Sequence, residues 1–179
     1  FRTRPFSKIP NIQDRPNVIF ISLIDSNPLS IDPELIIKSD EEHFNEGLKV
    51  LLRLTNNSLN VSTKPSSTIK KLDLENLFYY EFDGPHPVGL VGTQIHNISP
   101  ASLSNQIWTI GYQDVLMIGK LFKTGLLDNT KKIALSGPMV KDPTMIISEN
   151  GANLDEILDG KTIGENNRII SGSVLNGSE

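Results

Sequence analysis

Cysteine is absent from the 179 residues. The chain therefore offers no disulfide, no cysteine nucleophile and no thiolate ligands for an iron–sulfur cluster. Long apolar runs are missing too. The longest, "VIFISLI" at 18–24, falls far short of the roughly 20 residues a membrane-spanning helix needs, so the chain itself does not cross a bilayer. Basic charge is not in excess: a net charge of −4 and a pI near 5.4 argue against a nucleic-acid binder, which carries a basic face. The first methionine is Met117, and no signal peptide precedes the opening "FRTRPFSKIP". The chain is accordingly read as an excised piece of a longer protein, in which shared sites survive only as fragments.

What is present is a globular composition. With 37% apolar and 21% charged residues, the length suits one ordinary domain, or one plus a small appendage. "NVIFISLIDS" has the character of a buried strand ending near Asp25, and Asp32 before Pro33 reads as the cap and first position of a short helix. Ser39 and Glu42 form a capping-box pattern. Behind them Phe44, Leu48, Leu51 and Leu52 recur at helical spacing, predicting an amphipathic helix of about four turns. "SLNVST" and "LFYYEF" read as strands, separated by the polar stretch "KPSSTIKKLDLEN" with a short helical piece. "NQIWTIG" follows as a strand and "YQDVLMIGKLFKTG" as a helix with Val115, Ile118, Gly119 and Phe122 on one face; Lys120 and Lys123 sit near its negative end, and Gly125 stops it. "KKIALSG" is the next strand. Strands and helices alternating at this pitch predict an α/β fold, a mainly parallel sheet with helices on both faces.

The rhythm breaks at "SGPMVKDP". A strand "TMIISE", a short helix "NLDEIL" capped by Asn153, Gly160 and a strand "NRIISGSVL" then predict a small α+β module. The expected division is an α/β domain at 1–136 and the module at 137–179.

The densest motif is "GPHPVGLVGTQIH" at 84–96. Gly84, Gly89 and Gly92 after a strand resemble a loop that brings backbone N–H groups to a phosphate, and Asp25 at the end of another strand would share that edge. Two features oppose this. The spacing matches no dinucleotide or P-loop fingerprint, and Pro85 and Pro87 each remove a donor. The alternative is a tight turn. His86 and His96 lack a third metal ligand nearby, so no metal site is expected. His43 falls on the polar side of its helix, "DEEH" suits a helix N-terminus, and Ser136, Ser171 and Ser173 lack a hydrolase context. Trp108 and Tyr112 could stack on a ring but flank a strand-to-helix junction, where core roles are commoner. The ligand-loop candidates are Asp25, Gly84, His86, Gly89, Gly92 and His96; no catalytic residue is assigned.

Taken in order, "RPFSKIP", "DSNPL", "GPHPVGLVGTQIH", "IWTIGYQDVLMIGKLF" and "ISGSVLNG" closely resemble the A subunit of the bacterial sodium-translocating NADH:quinone reductase. The resemblance covers nearly the whole chain and implies its middle portion, without the N-terminal part or the C-terminal helical part. It implies a Rossmann-like domain followed by a β-grasp module of the soluble-ligand-binding type. It also implies a hydrophilic subunit without its own redox cofactor, at the quinone end of a complex on the cytoplasmic face of the bacterial inner membrane. Ubiquinone is then the complex's substrate, and flavins, iron centre and NADH site belong to sister subunits. The family is similar in structure to the flavin- and NADH-binding subunit of respiratory complex I, which keeps a second class open: a domain holding flavin or NADH at Asp25 and the Gly84 loop.

Overall fold

A computed structural model describes residues 1–178 as two compact units, one of residues 1–26 and 32–128, the other of residues 27–31 and 129–178. In the first, strands β1 (Arg2–Arg4), β2 (Val18–Ser22), β3 (Ser58–Thr63), β4 (Leu77–Glu81) and β5 (Ile107–Thr109) form one sheet in the order β1-β5-β2-β3-β4. β2 to β5 run parallel; β1 is an antiparallel edge on β5 that the sequence pattern does not announce. The central strand β2 is apolar throughout Val18–Ile21 because a parallel strand between helical layers is buried on both faces.

One face carries α1 (Pro33–Lys38), α2 (Glu41–Leu54) and α4 (Tyr112–Thr124), whose Ile37, Phe44, Leu48, Leu51 and Val115 pack on Ile19, Ile21, Leu59 and Val61. The other face carries α3 (Val91–Ile98), with Ile95 against Val18, Phe20 and Ile107. The α1 start follows expectation: the Asp32 carboxylate accepts from the Glu34 N–H at 3.0 Å, and Pro33 opens the helix. The α2 start does not. Its N-cap is Asp40, while Ser39 closes α1 and donates its hydroxyl to Ile36 O at 2.7 Å. His43 is half-buried and bonded to Asp40 rather than solvated. On α4, Val115 and Gly119 are buried as the periodicity requires, but Phe122 is 68% exposed because the helix overruns the core. Lys120 pairs with Asp128, and Lys123 with Glu42. The stretch 65–76 holds no helix: it turns at 65–66 and 75–76 and is otherwise irregular.

The second unit holds a two-stranded antiparallel sheet, β6 (Thr130–Leu135) with β7 (Thr144–Glu149), and α5 (Leu154–Leu158), where the Asn153 side chain accepts from the Asp155 N–H at 3.0 Å. Two expectations change here. "KKIALSG", expected in the parallel sheet, pairs instead with "TMIISE" in the second compact unit, which takes up the chain again at Asn129. Neither strand has a fully buried residue, and exposure alternates along β7 from Met145 to Glu149, as on a thinly covered sheet. The tail "NRIISGSVL" makes no strand among the described residues; Ser171 bridges to Ser178 alone.

Candidate functional site

A cleft of about 320 Å³ lies beyond the carboxyl ends of β2, β3 and β4. Ile24, Asp25 and Ser26 enter it after β2, Lys64 after β3, and Phe82 with Asp83, Gly84, Pro85, His86 and Val88 after β4. Of the residues singled out from sequence, Asp25, Gly84 and His86 therefore meet in one place. Gly89 stands immediately behind them. Gly92 and His96 do not join them: the second half of the expected loop is α3, on which both are exposed. Helix formation there follows from Val91, Ile95 and Ile98, whose spacing buries one stripe on β2.

The glycines differ in purpose. Gly84 has φ +130°, a backbone that side chains rarely adopt, whereas a Cβ at Gly92 would meet open space. Gly89 is a close approach, since a Cβ would lie 2.5 Å from Ser26 N and 2.9 Å from Ile24 O. This contact lets the Gly89 N–H donate to Ser26 Oγ at 3.0 Å, and Ser26 Oγ lies 3.0 Å from His86 Nδ1. The serine oxygen, with two lone pairs and one hydrogen, can accept from Gly89 and still either donate to or accept from Nδ1. Gln94 ties the same turn from below, donating to Val88 O at 3.0 Å and Ser22 Oγ at 2.8 Å.

Four of the five amide donors of the turn are engaged; the fifth, the His86 N–H, bonds to no group among the described residues. The Gly84 N–H goes to Asp83 Oδ1 at 2.9 Å, Val88 to Pro85 O at 3.0 Å and Leu90 to Pro87 O at 2.9 Å, in addition to Gly89 on Ser26. Pro85 and Pro87 have none. The charged groups on the lining are Asp25, Asp83 and Lys64, and the Lys64 ammonium is 3.3 Å from Asp32. Such a lining repels an anion more than it attracts one.

The matched family models follow the two units. A model described as the NqrA second alpha/beta domain covers residues 1–127. The chain belongs to the NqrA family. A second model, the NQRA C-terminal domain, covers 132–179. Among curated relatives, the A subunit of the Na(+)-translocating NADH-quinone reductase from Yersinia pestis bv. Antiqua is 47% identical over 177 residues, and those from Histophilus somni strain 129Pt and Neisseria meningitidis serogroup B are 45% identical over 177. Each alignment takes in 99% of this chain and 40% of the relative, so this NqrA chain spans about two fifths of their length.

Sequence reasoning missed Ser26, Lys64, Phe82, Asp83 and Gln94. Only Gln94 left a trace, as a polar residue adjoining Ile95 on the stripe that α3 buries. Among the described residues no three His, Asp or Glu gather as a metal group. Trp108 is 4% exposed in the core with Phe1 5.4 Å away between ring centroids, so it has no face free to stack on a ligand. Burial raises the pKa of the Tyr112 phenol; a bond from Gln113 opposes the shift, and the charges of Asp25 and Asp32 add to it. Tyr79 is raised by burial as well, against a bond from the Leu72 N–H at 3.2 Å. Folded pKa values above the unfolded ones mean that the stabilisation is complete below pH about 10 and is lost as the pH climbs through the folded values. Absorbance titration of the folded protein at the phenolate band, with Tyr79→Phe and Tyr112→Phe for assignment, is expected to place both phenols above the ordinary value. Ordinary titration of both would contradict their burial.

Proposed function

We propose that this chain is a cofactor-free portion of the A subunit of a sodium-translocating NADH:quinone reductase in a bacterial respiratory chain. In this reading it serves quinone access and assembly at the quinone end of the complex. Ubiquinone is the substrate of the whole complex, while flavins, iron centre and NADH site reside on sister subunits. The observation that carries the reading is that four of the five amide donors in the 84–90 turn are engaged and two more positions are proline, which supports the glycine motif as a prop for the cleft over a phosphate cradle. Support for a Rossmann-like first domain comes from the parallel strand order, which reverses at β2, with helices on both faces. The second unit is assigned as a β-grasp module of the soluble-ligand-binding type, with the domain division after Asp128. No helix among the described residues is long and apolar enough to cross a membrane. Attachment to the cytoplasmic face of the inner membrane is therefore assigned to contacts with membrane-embedded sister subunits.

The competing reading, a flavin- or NADH-binding domain, draws on the meeting of Asp25, Gly84 and His86 in one cleft at the strand ends. Calorimetric titration decides between the two. The chain is expected to give no saturable heat with FMN or NADH, and micromolar affinity for either would replace the first reading by the second.

A further inference from the structure

On the α3 face of the sheet, residues 18, 20 and 22 of β2 lie beside 58, 60 and 62 of β3, because alternate residues share a face and the register pairs Ser22 with Ser62. The amino-terminal half of this layer is apolar at Val18 and Phe20, with the half-buried Ser58 at its edge. Its carboxyl-terminal half, under the 84–90 turn, is polar: Ser22, Ser62 and Asn60 from the sheet and Gln94 from α3. Gln94 and Ser62 are fully buried, and Asn60 is 3% exposed.

Hydrogen-bond accounting does not close within the protein. Gln94 Nε2 donates to Val88 O and Ser22 Oγ. Val88 O can only accept, so the nitrogen must face it and the amide cannot be turned over. Gln94 Oε1 then points elsewhere, and it has no protein partner among the described residues; the same holds for Ser62 Oγ and Asn60 Oδ1. Orphaned buried polar atoms are uncommon because each loses its hydration without replacement. Three of them share one half of one layer.

We propose that a buried water molecule bridges Ser62 Oγ and Gln94 Oε1 and is a fixed part of the support beneath the turn. The Ser62 hydroxyl donates to the water, the water donates to Gln94 Oε1, and Asn60 Oδ1, next along the same face, is the acceptor for its second hydrogen. The site selects water because its groups are neutral. A bare cation would exchange its hydration for two amide oxygens and a hydroxyl, with no carboxylate among the four layer residues to offset its buried charge. Through Gln94 the water connects to Val88, and so to the wall of the cleft. This inference stands independently of the quinone reading.

A crystal structure of the unsubstituted chain at a resolution that shows ordered solvent is expected to place a water oxygen within hydrogen-bond distance of both Ser62 Oγ and Gln94 Oε1. Density without a solvent peak, or a peak with cation coordination, overturns the proposal. Ser62→Ala supplies a test by sign. Removing a hydroxyl that holds the water is expected to lower the thermal midpoint by about 2 °C or more, whereas removing an unsatisfied hydroxyl raises it. An unchanged or raised midpoint therefore overturns the proposal, as does a midpoint that responds to sodium chloride but not to choline chloride at equal ionic strength. If the variant fails to fold, the structure of the unsubstituted chain decides.

Discussion

Gly119→Ala is expected to destabilise the protein by about 3 kcal/mol or more, the upper end of the overpacking range. Helices α2 and α4 cross with their backbones in contact at two glycines. A Cβ on Gly119 would sit 1.8 Å from His43 O and 2.7 Å from Gly47 N; one on Gly47 would sit 2.2 Å from Val115 O. These neighbours are backbone atoms of a packed helix, so no side-chain rotation relieves the clash and α4 must lift from Phe44 and Leu48. Alanine's higher helix propensity returns only about 1 kcal/mol. For a chain of this size the expected drop in thermal midpoint is about 6 °C or more, followed by far-ultraviolet circular dichroism. Gly92→Ala is the control: it is also helical but faces open space, and it should be neutral or stabilising by up to about 1 kcal/mol. A Gly119→Ala midpoint within about 2 °C of the parent would refute the close crossing.

Gly89→Ala is expected to cost about 2 kcal/mol and, more tellingly, to dismantle the cleft wall. The added carbon would meet Ser26 N at 2.5 Å, Ser26 Oγ at 2.7 Å and Ile24 O at 2.9 Å. The turn must withdraw from the end of β2, and the Gly89–Ser26–His86 chain of hydrogen bonds breaks. Two observables follow that a general loss of stability would not give: the His86 ring nitrogen signals move toward those of a solvated histidine, and exchange of the Gly89 amide accelerates while that of the β2 amides stays slow. Unchanged His86 signals in a folded Gly89→Ala protein would show that the serine–histidine contact does not depend on this approach. The result separates the structural account of the motif from a ligand account, because it needs no ligand.

Much of the first unit was legible in the sequence for a physical reason that is local. Buried strands and amphipathic helices write their periods into consecutive residues, so "VIFIS" and the Phe44, Leu48, Leu51 series declare β2 and α2 directly, and Asp32–Pro33 declares a helix start through chemistry confined to one turn. Membership of the NqrA family was legible too, because order and spacing of motifs persist along the chain. The gathering of Asp25, Gly84 and His86 along one cleft was legible from their place after apolar runs, since parallel strands bring such ends to one edge.

The rest required the tertiary structure because it depends on partners remote in sequence. Whether "KKIALSG" joins the parallel sheet or a hairpin with "TMIISE" is decided by which strand edge is available to its backbone, and nothing in its own residues records that choice. The glycine motif resembles a ligand loop while it is read as a loop. Packed on β2, half of it is a helix, and Gly89 is glycine because Ser26, 63 positions earlier, stands against it. Gly47 and Gly119 look like weaknesses in two good helices until the helices cross there. Local pattern therefore determined which segments are regular and which residues face inward. The close approach of backbones distant in sequence decided which glycines are indispensable and which donors the turn retains, and on those donors the reading of the cleft depends.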